Sequence, residues 1–202
     1  MLFNLTRIIL WIAALVGTFF IIKKSEFVRK KLAFMLFIIL WTLIISASAA
    51  FPPENLFISF KSPESVFHYT CSGDINEIVY GQDSCLIVYT RGNSTSGQYI
   101  IPKTAKGYKI PNFFTAQKIS HQFDEYGLFD VYHVEGTQDY YVFGTVRLRE
   151  ENNEIQLYNE AGEKVESKLF RIENSDFLFF FINDSPDGYC LSINGEKVMI
   201  SG

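Results

Sequence analysis

The sequence predicts an N-terminal two-helix transmembrane hairpin followed by a mainly β domain, an antiparallel β-sandwich or barrel-like sheet. Three observations support this fold class. Two apolar runs without charge, residues 8–22 and 32–51, open the chain and flank a short cationic stretch. About ten segments rich in β-branched and aromatic residues follow, at the spacing typical of sandwiches and barrels. Only one short helix, near residues 63–72, is expected among them.

The second apolar run is long enough for a membrane span. Its 20 uncharged residues rise about 1.5 Å each and so cover the roughly 30 Å hydrocarbon core. The first run has 15 such residues and reaches span length only with the residues before it, Arg7 extending to the headgroups. We therefore expect spans at about residues 4–22 and 32–51, and the lipid bilayer as the partner of residues 1–51.

The cationic stretch predicts the orientation of the hairpin. Residues 23–31 contain five Lys/Arg and one acid, Glu26. Short loops rich in Lys/Arg stay in the cytoplasm, which places the later domain outside it, at the plasma membrane. A second interpretation stays open, because residues 30–49 also resemble a signal peptide cleaved near Ala49. Both interpretations export the C-terminal domain.

Charge is divided unevenly along the chain. Residues 1–50 contain six Lys/Arg and one Asp/Glu, whereas residues 51–202 contain 12 Lys/Arg and 21 Asp/Glu, and the whole chain has a net charge of −4. Phosphate backbones bind basic surfaces. The acidic C-terminal part therefore argues against nucleic acid as a partner.

Helix and linker boundaries are marked by proline. Pro52-Pro53 ends the second apolar helix and begins a linker over residues 52–61. Ser62 then provides an N-cap and Pro63 the first helical position of the short helix. Residues 62–202 form the predicted extracytoplasmic domain.

Strands account for most of that domain. They are predicted at residues 75–80, 84–91, 98–102, 107–110, 115–123, 129–135, 140–149, 155–158, 169–172, 177–182, 189–193 and 196–200. Residues 177–182 are continuously apolar, which is typical of a central strand covered on both faces. Asn194-Gly195 favours positive φ at both positions, as a type I′ hairpin turn requires.

Three cysteines, Cys71, Cys85 and Cys190, make an odd number for an oxidising compartment. A Cys71–Cys85 disulfide would close a small loop, but Cys85 lies in an apolar strand where a thiol behaves as a small hydrophobic group. Both alternatives remain open. No C-x-x-C spacing supports a zinc or redox site.

No catalytic motif is found, and we expect no enzyme activity, cofactor or metal site. The scarce reactive residues offer one alternative, a surface hydrolase or metal-dependent enzyme that uses His121, Asp124 and His133. No H-x-H or H-E-x-x-H spacing supports coordination there.

Four tyrosines concentrate around one predicted hairpin, where they form a candidate binding face: Tyr126, Tyr132, Tyr140 and Tyr141. Tyrosine rings stack on glycans and protein partners, although cross-strand packing explains them equally well. The leading prediction is a membrane-anchored binding, sensing or assembly module with a glycan or envelope protein as partner. A self-associating envelope structural protein is the other alternative.

Overall fold

The computed structural model describes residues 2–24, 30–92, 95–124, 127–146, 154–166, 168–172, 175–182 and 185–200, and at some helix and strand positions only the backbone. These ranges contain three α-helices, α1 (Leu2–Lys24), α2 (Lys30–Ala50) and α3 (Pro63–Thr70). A 3-10 turn, Pro53–Leu56, follows α2.

The two predicted N-terminal helices are confirmed as helices, and they contact each other. The Trp41 indole lies 3.4 Å from the Thr18 hydroxyl and donates a hydrogen bond to it, and Trp41 is buried. The predicted membrane crossing is not supported. Among the described residues, no helix combines the length and the apolarity that a membrane span requires.

An ion pair joins the helices to the β domain. Arg7 Nε lies 3.1 Å from Glu54 Oε1, and both side chains are nearly inaccessible to water. Residues 52–61 make further contacts with the β domain. Asn55 exchanges two hydrogen bonds with the backbone of Ile110, and Phe60 forms a β-bridge with Tyr108.

Thirteen antiparallel strands occupy the described ranges. They are β1 (Asp74–Tyr80), β2 (Ser84–Arg91), β3 (Thr95–Thr104), β4 (Gly107–Tyr108), β5 (Ala116–Asp124), β6 (Gly127–Val134), β7 (Tyr140–Val146), β8 (Ile155–Tyr158), β9 (Lys164–Val165), β10 (Lys168–Ile172), β11 (Ser175–Ile182), β12 (Cys190–Ile193) and β13 (Glu196–Met199). They form sheet 1 in the order β1-β2-β3-β4, sheet 2 in the order β10-β11-β7-β6-β5, and sheet 3 in the order β13-β12-β8-β9.

Sheet 1 is covered on both faces because its strands alternate two apolar sets. One set packs against α3 in a cluster that contains Val66 and Phe67 of α3 together with Cys85, Ile87, Ile101 and Ile110. The other packs against sheet 2, and Leu86, Val88 and Phe179 belong to that second cluster. Neighbouring residues of β2 therefore lie on opposite sides of sheet 1.

Sheet 2 is the middle sheet of a three-sheet stack. Its second face packs on sheet 3 in a cluster that contains Phe129, Val131, Val142, Leu157, Phe180, Ile182, Leu191 and Ile193. Phe179 and Phe180 are both about 1% exposed and belong to opposite faces, which confirms the predicted central strand at residues 177–182. The mainly β, antiparallel class is confirmed, and within the described residues the strands form three separate sheets.

Two local predictions are confirmed in detail. Ser62 caps α3, where its Oγ accepts a hydrogen bond from the Ser65 backbone N–H at 3.3 Å. Asn194 and Gly195 have φ values of 52° and 85°, the positive pair that a type I′ turn requires between β12 and β13.

Candidate functional site

The three residues of the enzyme alternative are not brought together. His121 on β5 faces Asp130 on β6, and their side chains are hydrogen-bonded at 2.6 Å. His133 lies three residues after Asp130 on the same regular strand, so it faces the opposite side of sheet 2. There it stacks on Tyr140 with ring centroids 4.6 Å apart. The side chain of Asp124 lies outside the described residues.

A β-bulge builds a different cluster on β5. The β5–β6 register shifts between Lys118 and Ser120, which leaves Ile119 as the extra residue. Without a bulge, residues 118 and 121 would face opposite sides of the sheet. The extra residue turns Lys118 and His121 to the same side, where both reach Asp130. Lys118 Nζ lies 2.9 Å from Asp130 Oδ2.

Asp130 is the centre of this cluster. Its side chain is 8% exposed, whereas the side chains of Lys118 and His121 are 42% and 54% exposed. Burial raises the pKa of Asp130, but hydrogen bonds from Lys118 and His121 outweigh it and leave the pKa below its ordinary value. The hydrogen bond to Asp130 raises the pKa of Lys118. The carboxylate thus holds a cation and an imidazole beside each other at the surface.

Tyr132 connects the cluster to an open cleft. Its ring lies beneath Lys118 Nζ, 5.8 Å from the centroid, and its hydroxyl lies 3.5 Å from Asp130 Oδ2. Burial and then the Asp130 charge raise the pKa of Tyr132. The cleft has a volume of about 390 Å³ and lies between sheet 1, sheet 2 and the loop before β5. Its lining residues are Gln98, Tyr99, Ile100, Pro111, Asn112, Thr115, Ala116 and Tyr132.

The four predicted tyrosines do not share one exposed face in the described part of the chain. Tyr132 lies at the cleft. Tyr140 lies on the opposite face of sheet 2, and Tyr141 is fully buried between sheets 1 and 2. Tyr126 lies outside the described residues. An exposed binding face therefore includes Tyr132 but not Tyr141.

Tyr141 belongs to a buried polar network that joins sheets 1 and 2. Ser84 Oγ lies 2.9 Å from the Tyr141 hydroxyl and donates a hydrogen bond to Asp139 at 2.5 Å. Asp139, which is fully buried, also accepts hydrogen bonds from the backbone N–H groups of Gln82 and Asp83. Water cannot reach this network, so its role is structural.

The cysteines are unbridged. Cys71 and Cys85 both contact the cluster beneath α3, but all three thiols are free. Burial raises the pKa of Cys85 to about 12, which removes the thiolate needed for nucleophilic chemistry or metal binding. Within the described ranges, no group of three His, Cys, Asp or Glu side chains is arranged to hold a metal ion.

Sequence reasoning overlooked Lys118 and Asp130 as members of a site. No residue pattern marks a bulge at Ile119, because the extra residue is recognisable only once β5 is paired with β6. The alternation in residues 115–123 is irregular, and this irregularity is the only sequence feature that indicates the bulge.

No protein-family model, no curated protein and no solved structure matches this chain.

Proposed function

We propose that this protein is a non-catalytic, membrane-anchored binding module of the cell envelope. In this proposal α1 and α2 insert into the plasma membrane, the stretch between them is cytoplasmic, and the stacked sheets lie outside the cytoplasm. The cleft beside Tyr132 binds the ligand. The observation that carries the anchor is the exposure of apolar side chains on the two helices.

Fourteen large apolar side chains of α1 and α2 are exposed. They are Ile8, Ile9, Ile12, Leu15, Val16, Phe19, Phe20, Met35, Ile38, Ile39, Leu40, Leu43, Ile44 and Ile45. Contiguous apolar surface of this extent is unfavourable in water and favourable in lipid. A helical hairpin also satisfies its backbone hydrogen bonds internally, as a hydrocarbon environment requires.

Insertion is measurable with the native tryptophans, since Trp11 and Trp41 are the only two in the chain and both lie in the helices. In the part of the chain that the structure describes, no helix has the length and apolarity of a membrane span. The test therefore uses the full chain in vesicles. Lipids brominated deep in the acyl chains are expected to quench the emission, and aqueous iodide is expected to leave it unchanged. The reverse result would overturn the anchor.

Orientation is tested separately. The excess of Lys/Arg in residues 23–31 supports a cytoplasmic loop. A reporter enzyme that is active only outside the cytoplasm, fused after Gly202, is expected to be active in cells. A fusion active only with a cytoplasmic reporter would contradict the proposed orientation.

The cleft supports binding of a carbohydrate segment. A tyrosine ring offers an apolar face for a sugar ring, and the amides of Gln98 and Asn112 suit sugar hydroxyls. The open shape suits a chain that passes through the cleft better than a small molecule that must be enclosed.

A matched pair of variants tests this site. Tyr132→Ala is expected to abolish saturation transfer from the protein to soluble fragments of envelope glycan in NMR. Tyr140→Ala removes a comparably half-buried tyrosine from the opposite face of sheet 2 and is expected to leave transfer unchanged. Equal transfer in both variants, or none with the native chain, would exclude the cleft as a glycan site.

The other two alternatives receive less support. A hydrolase or metal enzyme needs His121 and His133 on one face, and they lie on opposite faces of sheet 2. Self-association through an edge strand is discouraged at β5, where a bulge and Lys118 interrupt the flat edge. A monomeric sedimentation profile of the full chain in detergent, unchanged with concentration, would exclude self-association.

A further inference from the structure

A compact apolar patch lies where α2 meets the β domain. Outside α1 and α2, nine large apolar side chains of the described residues are exposed, and six of them belong to two loops at this junction. These six, here called the junction patch, are Phe51, Leu56, Phe57, Ile58, Phe113 and Phe114. Phe57 and Phe113 are 88% and 80% exposed, so the patch does not belong to the core.

The two loops of the junction patch are held together by polar contacts behind it. The Asn55 side chain donates to the Ile110 carbonyl at 2.7 Å and accepts from the Ile110 N–H at 2.9 Å. Lys109 Nζ donates to the carbonyls of Asn55 and Ile58 at 2.7 and 2.8 Å. The apolar side chains are thus presented by an ordered support, and their exposure follows from the fold.

The patch is continuous with the end of the helical hairpin. Phe113 N–H donates to the Ala50 carbonyl at the end of α2, and the rings of Phe51 and Phe114 stack with centroids 5.6 Å apart. The Arg7–Glu54 ion pair fixes α1 beside the same loop. The patch therefore lies at the level at which both helices would leave a bilayer.

Charge also distinguishes the patch from the rest of the domain. Residues 51–61 and 109–116 contain one acid, Glu54, which is buried and paired with Arg7. Lys61 and Lys109 add two positive charges. Residues 51–202 as a whole contain 21 acids and 12 Lys/Arg. The junction patch is thus a segment of this acidic domain without an exposed acid, as contact with lipid headgroups requires.

We propose that the junction patch inserts into the interfacial layer of the outer leaflet and fixes the β domain close to the membrane surface. This inference rests on the proposed anchor. The occupant is lipid, because the patch continues from the two helix ends and phenylalanine side chains partition into the boundary between headgroups and acyl chains. The cleft would consequently be held near the membrane and unable to swing away from it.

The test uses one tryptophan at a time in the full chain, in vesicles of phosphatidylcholine and phosphatidylglycerol. In a Trp11→Phe/Trp41→Phe background, Phe57→Trp and Phe113→Trp are expected to be quenched about twofold more strongly by shallowly brominated lipids than Met199→Trp. Met199 is an exposed apolar side chain in sheet 3, 47% accessible to solvent against 88% for Phe57 and 80% for Phe113. Equal quenching at the three positions would overturn the proposal.

A second measurement needs no substitution. The native chain in the same vesicles is labelled with a carbene-generating lipid whose reactive group lies at the headgroup boundary, and the adducts are mapped by mass spectrometry. Adducts on peptides that contain Phe57 and Phe113 are expected, and their absence would contradict the inference. Quenching of native Trp11 and Trp41 reports on the helices alone. Inserted helices with an unlabelled patch would therefore reject only this inference.

Discussion

At the residue scale, the carboxylate of Asp130 fixes the positions of two surface side chains, Lys118 and His121. It is the nearly buried member of a cluster whose other two members, Lys118 and His121, are half-exposed. A buried carboxylate is unfavourable unless hydrogen bonds compensate for lost hydration. Lys118 and His121 supply that compensation, and Asp130 in turn fixes where both side chains lie at the edge of the cleft.

The stabilising effect of Asp130 depends on pH. The pKa of Asp130 is lower in the folded protein than its usual value of 3.8, so ionised Asp130 stabilises the fold above the unfolded pKa, and this stability is lost as pH falls through the folded pKa. Asp130→Asn is expected to lower the free energy of unfolding at pH 7 by about 1–3 kcal/mol. The difference from the native protein should shrink below about pH 4.

Denaturant titrations at several pH values measure this difference. Asp187→Asn is the control, because Asp187 is exposed and accepts a hydrogen bond from Ser185 two residues away. It should change stability little at any pH. A difference between native and Asp130→Asn proteins that does not vary from pH 7 to pH 3 would contradict the assigned pKa shift.

Asp139 is a second buried carboxylate whose hydrogen bonds stabilise the fold. Its carboxylate accepts two backbone N–H groups from the turn between β1 and β2 and one hydroxyl from Ser84. Asp139→Asn replaces one acceptor oxygen with an NH2 donor, so at least one backbone N–H of the β1–β2 turn loses its acceptor. We expect a loss of about 2–4 kcal/mol in unfolding free energy, by chemical denaturation.

Tyr141→Phe is the milder comparison for Asp139→Asn. It removes only the hydroxyl hydrogen-bonded to Ser84, and should cost about 1 kcal/mol. Equal losses in the two variants would show that Asp139 contributes no more than an ordinary neutral hydrogen bond.

At the scale of elements, the parts of the fold that were predictable are those specified by neighbouring residues. Ser62 and Pro63 define the start of α3 because an N-cap acts within one turn. Asn194-Gly195 defines a hairpin because few other residue pairs adopt positive φ twice. The apolar run in β11 required burial on both faces, and two covering sheets provide it.

The parts that could not be predicted depend on pairing between distant residues. The order β10-β11-β7-β6-β5 in sheet 2 places β11 beside β7, which local patterns do not specify. The bulge at Ile119 depends on the register with β6. The contacts of Glu54 and Asn55 with Arg7 and Ile110 likewise join segments about 50 residues apart, and no local pattern in residues 52–61 specifies them.

The bulge has a consequence for the deletion of its extra residue. Deletion of Ile119 leaves Lys118 and His121 two positions apart on a regular strand, so both are expected to remain on the Asp130 side of sheet 2. Asp130 then keeps both partners. Its pKa, followed by the NMR shift of the carboxyl carbon, should stay below the ordinary value.

Ile119→Ser is the control for the deletion, since it keeps the extra residue and changes only an exposed side chain. Its Asp130 pKa should match that of the native protein. A deletion variant with native circular dichroism and an Asp130 pKa raised to the ordinary value would show that strand register does not place Lys118 and His121 beside Asp130.

At the scale of the whole molecule, the Arg7–Glu54 pair determines how the helices and the domain are joined. Both groups are largely buried, and removing one partner leaves the other charge without compensation. Arg7→Met is therefore expected to destabilise the full chain in detergent micelles by about 3–5 kcal/mol. Guanidinium titration followed by aromatic circular dichroism is the measurement.

The double variant Arg7→Met/Glu54→Leu tests the reason for that loss. Replacing both charges with apolar groups of similar volume removes the uncompensated carboxylate, so most of the stability should return. If the double variant is as unstable as Arg7→Met, the ion pair itself stabilises the junction and desolvation is not the main effect.

The position of sheet 3 has a mechanical consequence. This sheet forms the layer farthest from α3, and its edge strand β13 pairs by four residues with β12 alone. Tension between the helices and Ile200 would load the Cys190–Met199 end of that pairing first, because the two strands run antiparallel. The hydrogen bonds between β12 and β13 would then break one after another from that end. Sheets 1 and 2 would stay folded until sheet 3 had unfolded.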